Sequence, residues 1–208
     1  MGSAEAGPAA IRHHPRVEPD RRTQILEATC RVIARDGAPG VRAGAIAREA
    51  GVSRGLPLYY WPTVEAIVEA AFAHHEEREW ERSNRALQRI GDPLGRLRFL
   101  LVDEIADTAA AREYRAVFAE YERIAAFDPA VRRLVRARNE RWERFLAREV
   151  AAAQAAGQVR PDADPRGTAE RLGVLVGGLI WHLRCGTKSA RAVRRLLDAE
   201  LEALAAEG

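Results

Sequence analysis

The sequence predicts an all-α protein, with a three-helix helix-turn-helix domain at the N-terminal end and a helical bundle behind it. Three observations point there. Apolar residues recur at helical spacing along most of the 208 residues, and β-branched runs with a period of two are absent. Glycine and Asp-Pro breaks cut this pattern into segments of helix length. The stretch "AIAREAGVSRGLPLYYWPTVEAI", residues 45–67, breaks helical sequence twice, at Gly51 and at Pro62.

The first segment, "MGSAEAGPAAIRHHPRVEPD", is rich in Ala, Pro and charge, so residues 1–19 are expected to form a flexible arm. It lacks the apolar centre of a signal peptide. The first helix is expected over residues 20–36, with Asp20 as N-cap, Ile25, Leu26, Thr29, Val32 and Ile33 on one face, and Gly37 as a left-handed cap. A short helix over 42–50 buries Ile46, Ala47 and Ala50, and Gly51 supplies the positive φ of a sharp turn. Ser53 is expected to cap the next helix through its side-chain oxygen. Pro62 limits that helix to about Trp61, because it disfavours helical geometry in the preceding residue. Thr63 then caps a long fourth helix.

On a wheel of 100° per residue, Pro57, Leu58 and Trp61 cluster on the core side, while Gly55, Leu56, Tyr59 and Tyr60 face outward. An outward aromatic face on a helix this short fits a major groove. Arg54 can pair with guanine or phosphate, Tyr59 and Tyr60 can donate to phosphates, and Leu56 can touch a thymine methyl. A helical hairpin packed in a core gives a similar pattern.

Downstream, "GDP" at 91–93 opens a helix to about 111, and a second, carrying Tyr114, Val117, Phe118, Tyr121 and Ile124, runs to 126. "FDP" at 127–129 opens a third to about 156. Helices over about 165–185 and 189–206 close the chain.

Composition excludes several classes. With 47% hydrophobic and 30% charged residues, the balance is that of a globular chain, and no apolar run is long enough to cross a bilayer. Cys30 and Cys185 read as free thiols of a reducing, bacterial cytoplasm. The net charge of +3 is too small to announce a nucleic-acid binder, so the distribution of charge matters more. No phosphate loop, nucleophile elbow or metal-ligand spacing is present, so neither enzyme chemistry, nor a cofactor, nor a metal is expected.

The stretches "ILEATCRVIARDG", "IAREAGVSRG" and "YYWPTVEAIVEA" resemble the N-terminal DNA-binding domain of TetR-family transcriptional regulators. "FDPAVRRLVRARNERW" and "GQVRPDADPRGTAERLGVLVGGLIWHLRCG" are similar to the BetI-type branch of that family. The resemblance implies domains at 20–65 (DNA binding) and 66–208 (effector binding and dimerisation). It implies a ligand-released repressor that binds a palindromic, double-stranded DNA operator as a homodimer. The DNA-contacting positions are Arg42, Arg54, Gly55, Leu56, Tyr59, Tyr60 and Thr63. The last two helices would build a four-helix dimer interface through Leu172, Gly173, Val176, Gly177, Leu179, Ile180, Leu183, Val193, Leu197 and Leu201. An effector pocket is expected among Phe99, Tyr114, Phe118, Tyr121, Trp142, Phe145, Trp181 and His182; aromatic and with little charge, it would take an apolar or aromatic molecule.

Three positions depart from the family pattern. Leu56-Pro57-Leu58 stands where Thr-Leu-Tyr is common, with Pro57 near the fourth helical position, where its ring would distort the first turn. Val64 stands where a phosphate-binding Lys is frequent, and Val41-Arg42 where a hydroxyl cap is usual. These departures keep a second reading open: a helical ligand-binding or interaction module whose helix-turn-helix no longer reads DNA.

Overall fold

The computed structural model describes residues 20–206, and the predicted arm over residues 1–19 lies outside them. Nine α-helices follow one another among the described residues: α1 Arg21–Asp36, α2 Ala43–Ala50, α3 Leu56–Tyr60, α4 Val64–Leu87, α5 Pro93–Glu104, α6 Ala109–Ala125, α7 Pro129–Ala155, α8 Pro165–Arg184 and α9 Ala190–Leu204. The only pairing of strand type among them is an isolated bridge between Val159 and Ala205. None of the described helices is long and apolar enough to cross a membrane.

Local chemistry sets most boundaries. Pro93, Pro129 and Pro165 each stand at the first position of a helix, where the missing N–H has no intrahelical partner to lose. The Asp before each accepts orphan backbone N–H groups: Asp92 from Gly95, Asp128 from Ala130 and Asp164 from Gly167. Thr63, Thr108 and Ser189 cap α4, α6 and α9 in the same way. Two expected caps differ. Asp20 precedes α1 but makes no side-chain cap bond. Gly37 has φ 71° but ψ 167°, so it ends α1 outside the left-handed helical well, where a short 3-10 turn (Ala38–Gly40) takes over. The helix expected to reach residue 111 stops at Glu104, because Arg115 of α6 reaches back and donates to the carbonyls of Glu104 and Ala106.

Two apolar cores sit one above the other. The lower joins Ile25, Val32 and Ile33 of α1, Ile46 of α2, and Ile67, Ala71 and Phe72 of α4, and continues into Val117 and Tyr121 of α6. The upper joins α5, α7, α8 and α9 around Leu97, Leu101, Leu146, Leu172 and Leu197. Helices α4 and α7 run through both. Helix α4 places Ile67, Ala71 and Phe72 in the lower core and Leu87 in the upper one, and its middle, Glu76–Arg82, polar apart from Trp80, lies between them. Cys30 is buried and Cys185 exposed, and both are free thiols. Burial pushes the Cys30 thiol up to about 12, which makes it inert as a nucleophile.

Candidate DNA-binding surface and effector cavity

Gly51 ends α2 in the left-handed conformation, φ 65° and ψ 34°, and none of the described residues lies close to where a side chain would sit. The turn that follows is longer than expected, and α3 spans five residues only. Pro57 explains both. A helix starting at Ser53 would need an N–H from Pro57 and would press its ring on the Ser53 carbonyl. The chain instead closes a turn from the Leu56 N–H to the Ser53 carbonyl, and α3 begins at Leu56. Ser53 therefore makes no side-chain cap. Pro57 falls at the second helical position, where it is tolerated, so the distortion expected from this residue does not arise.

The later start rotates the helix. Leu56 and Tyr60, expected to face outward, are half-buried against the lower core together with Trp61, and Pro57 is buried. Leu58, expected to face the core, is 46% exposed, and Tyr59 is 81% exposed. Arg22 of α1 lies over the rings of Tyr60 and Trp61, 5.5 and 5.4 Å from their centroids. The outward face of α3 is therefore Arg54, Gly55, Leu58 and Tyr59. Arg42 occupies the N-cap position of α2 without a side-chain cap bond, and its guanidinium donates to the Pro39 and Val41 carbonyls. Neither Arg42 nor Arg54 has a carboxylate partner among the described residues. Val64 is half-buried at the start of α4, beside the exposed Thr63.

A cavity of about 290 Å³ lies in the body, where the polar middle of α4 meets α5, α6 and α7. Its aromatic wall includes Phe72, Trp80, Tyr114, Trp142 and Phe145. Five carboxylates line it, Glu76, Glu77, Glu79, Asp103 and Glu104, against three guanidiniums, Arg82, Arg138 and Arg141. The expectation of little charge is overturned. The acidic run on α4 reads as a solvated face until α5 and α7 are seen to enclose it.

Arg138 is the hub of the buried polar network. It donates to the Tyr114 hydroxyl at 2.8 Å, to Glu104 at 3.3 Å and to Glu76 at 3.4 Å. Tyr114 donates in turn to Glu76 at 2.9 Å. Burial holds both carboxyls above the usual range, and Arg138 only partly offsets this. Burial opposes the Arg138 charge, but Tyr114, Glu104 and Glu76 keep it protonated. His75 stacks on Tyr114 with ring centroids 5.3 Å apart, and its Nε2 is buried without a partner among the described residues.

The predicted pocket residues divide. Tyr114, Trp142 and Phe145 line this cavity. Phe118 and Trp181 line a second hollow toward α8, of about 340 Å³, which Tyr114 and Trp142 also border. Tyr121 belongs to neither: it stacks on Phe72 in the lower core and donates its hydroxyl to the Val68 carbonyl. Phe99 packs against the upper core. His182 is held by Thr187 at 2.7 Å, at the C-terminal end of α8. Sequence reasoning missed Trp80, the acidic residues and Arg138.

The predicted interface residues also divide. Leu172, Val176, Leu179, Val193, Leu197 and Leu201 are buried within the single chain, so they are not surface. Gly173 faces Trp142, and Ile180 and Leu183 pack on the upper core. Gly177 stands open, as does Gly178. On the same helix Val174 and Trp181 are 73% and 54% exposed, and Leu196 of α9 is 46% exposed. An amphipathic helix buries its larger apolar face at home, and the smaller second stripe is left outside.

Residues 25–71 match the model for bacterial regulatory proteins of the tetR family, and residues 93–206 match the model for the BetI-type transcriptional repressor C-terminal domain. The chain is 28% identical over 160 residues to the HTH-type transcriptional regulator BetI of Burkholderia mallei, covering 76% of this chain and 79% of that one. It is also similar to two solved structures. A TetR-family regulator from a Rhodococcus species has a TM-score of 0.77 and 28% identity, covering 88% of this chain and 97% of that one. A transcriptional regulator from Saccharomonospora viridis, solved in complex with choline, has a TM-score of 0.81 and 28% identity, covering 90% of this chain and 98% of that one. The helix-turn-helix, the helical body and these matches lead to one conclusion: the chain belongs to the tetR family, with a BetI-type C-terminal domain, and is a DNA-binding transcriptional regulator.

Proposed function

We propose that the chain is a homodimeric, cytoplasmic repressor that leaves a palindromic operator when a small organic cation enters the α4–α7 cavity. The observation that carries this reading is the cavity wall, which combines five carboxylates, three guanidiniums and several aromatic faces. Surplus negative charge beside aromatic faces suits a quaternary ammonium ion, which is attracted to both. The choline bound by the Saccharomonospora relative supports the same class of ligand. It replaces the apolar effector expected from the sequence.

The coupling is mechanical. Helix α4 carries the cavity wall in its middle and the recognition module at its start. A shift of α4 changes the separation of the two recognition helices in a dimer, which must span successive major grooves about 34–36 Å apart. Arg54, Gly55, Leu58 and Tyr59 face the bases and phosphates, with Arg42 and Thr63 at the flanks. The dimer forms through the exposed stripe of Val174, Gly177, Gly178, Trp181 and Leu196, where the glycines allow close approach of α8 from each copy. Gel-shift of the chain on DNA selected for binding, with and without choline, tests the reading. Choline should release the DNA, and light scattering should give twice the chain mass. DNA that stays bound at saturating choline would overturn the cationic effector.

A further inference from the structure

The aromatic wall of the cavity is not vacant of cations. Trp80 offers the kind of ring face that binds a cation best. The Arg141 guanidinium already lies over it, 4.1 Å from the ring centroid. Phe145 meets Trp80 edge-on at 5.0 Å, and Arg148 lies over the Phe145 ring at 5.0 Å.

The two arginines that border the cavity on α7 are held very differently. The Arg138 side chain is 17% exposed and is fixed by Tyr114, Glu104 and Glu76. The Arg141 side chain is 43% exposed, and its one carboxylate partner among the described residues, Glu77 at 3.0 Å, is 56% exposed. A pair this open to water is weak and competes with solvent. Arg138 is therefore built in, and Arg141 is displaceable.

We infer that Arg141 is a tethered occupant of the effector site: its guanidinium covers Trp80 in the free protein, and a ligand cation must displace it to bind. This rests on the cationic-effector reading above. It adds a regulatory consequence. The affinity of the site is lowered by the cost of moving Arg141 away, which raises the ligand concentration needed for response. It also adds a selectivity rule. A cation replaces the contact it removes, while a neutral molecule of the same shape does not.

The test is calorimetric titration of the full chain with choline and with its uncharged isostere 3,3-dimethylbutanol. Three proteins are compared: wild type, Arg141→Gln and Arg144→Gln. Arg144 is an exposed residue of the same helix, paired among the described residues only with Glu140 at 3.9 Å, so its removal subtracts the same charge without uncovering Trp80. Arg141→Gln should bind choline about two- to fivefold more tightly, the factor expected from one exposed cation–π contact. Arg144→Gln should change the affinity less than half as much, and the isostere should bind all three more weakly than choline. Choline binding in Arg141→Gln alone would also support the inference. Equal affinity of wild type and Arg141→Gln, or an equal gain in Arg144→Gln, would overturn it and leave the cationic effector standing. No choline binding by any of the three would overturn the effector reading itself.

Discussion

Arg42 and Arg54 stand on the surface without a carboxylate partner among the described residues, while Arg138 is buried between two carboxylates and a tyrosine. The same side chain serves opposite ends in the two regions. On the recognition face, a guanidinium without a carboxylate partner stays hydrated at little cost and can meet a phosphate. In the cavity, a guanidinium is tolerated only because its charge is answered on several sides. The contrast predicts where mutation should hurt binding and where it should hurt folding.

The largest effect should come from the buried hub. Arg138→Ala leaves Glu76 and Glu104 in a desolvated site without their cation, and should cost about 3–5 kcal/mol of stability in urea unfolding. Adding Glu104→Gln should restore part of that loss. A drop in stability under 1 kcal/mol would mean that water already compensates these charges and that the network is not buried in solution.

The next effect depends on pH. Burial pushes His75 down to about 4, with Arg78 and His74 adding to the shift. Between its ordinary value near 6.5 and that lower one, the unfolded chain takes up a proton that the folded chain does not. Stability conferred by neutral His75 is thus complete above pH 6.5 and is lost as pH falls toward 4, by up to roughly 3 kcal/mol. Glu76 and Glu104 act with the opposite sign, since their raised values favour the folded state in acid. Comparing thermal unfolding of wild type and His75→Phe from pH 7 to pH 4 isolates the histidine. Parallel curves would show that His75 is hydrated.

On the recognition face, folding should be spared. Tyr59 is 81% exposed, so Tyr59→Ala should weaken operator binding by about 1–3 kcal/mol and leave the melting temperature unchanged. Tyr60→Ala should do the reverse, because Tyr60 packs on the lower core beneath Arg22. The smallest expected effect is that of Arg42→Ala, which should lower the salt dependence of DNA binding by about one unit of slope, as loss of one phosphate contact does. Anisotropy titrations from 50 to 200 mM salt would measure it.

The two regions also differ in how far the sequence revealed them. The helix boundaries at Asp-Pro, Thr63 and Gly51 were legible because these residues act locally, through a side-chain acceptor, a missing N–H or a positive φ. The phase of α3 was not. It depends on Pro57 shifting the helix start from Ser53 to Leu56, and a wheel drawn through the whole stretch misplaced Leu56, Leu58 and Tyr60. The cavity was harder still. Glu76, Glu79 and Trp80 are an ordinary surface run until α5 and α7 pack over them, which is information carried by distant residues. The α8 stripe failed in the same way: Leu172 and Val176 look like an interface, but the chain's own α7 and α9 cover them.

The central claim is that the carboxylate-lined, cation-binding cavity and the DNA-binding face are coupled through α4. The most direct test measures choline affinity with and without saturating operator, and operator affinity with and without saturating choline. Linkage requires the two ratios to be equal, and typical coupling of 1–3 kcal/mol corresponds to about 5- to 150-fold. The account predicts that each ligand weakens the other by the same factor in that range. Choline that binds in the cavity while operator affinity stays unchanged would contradict it.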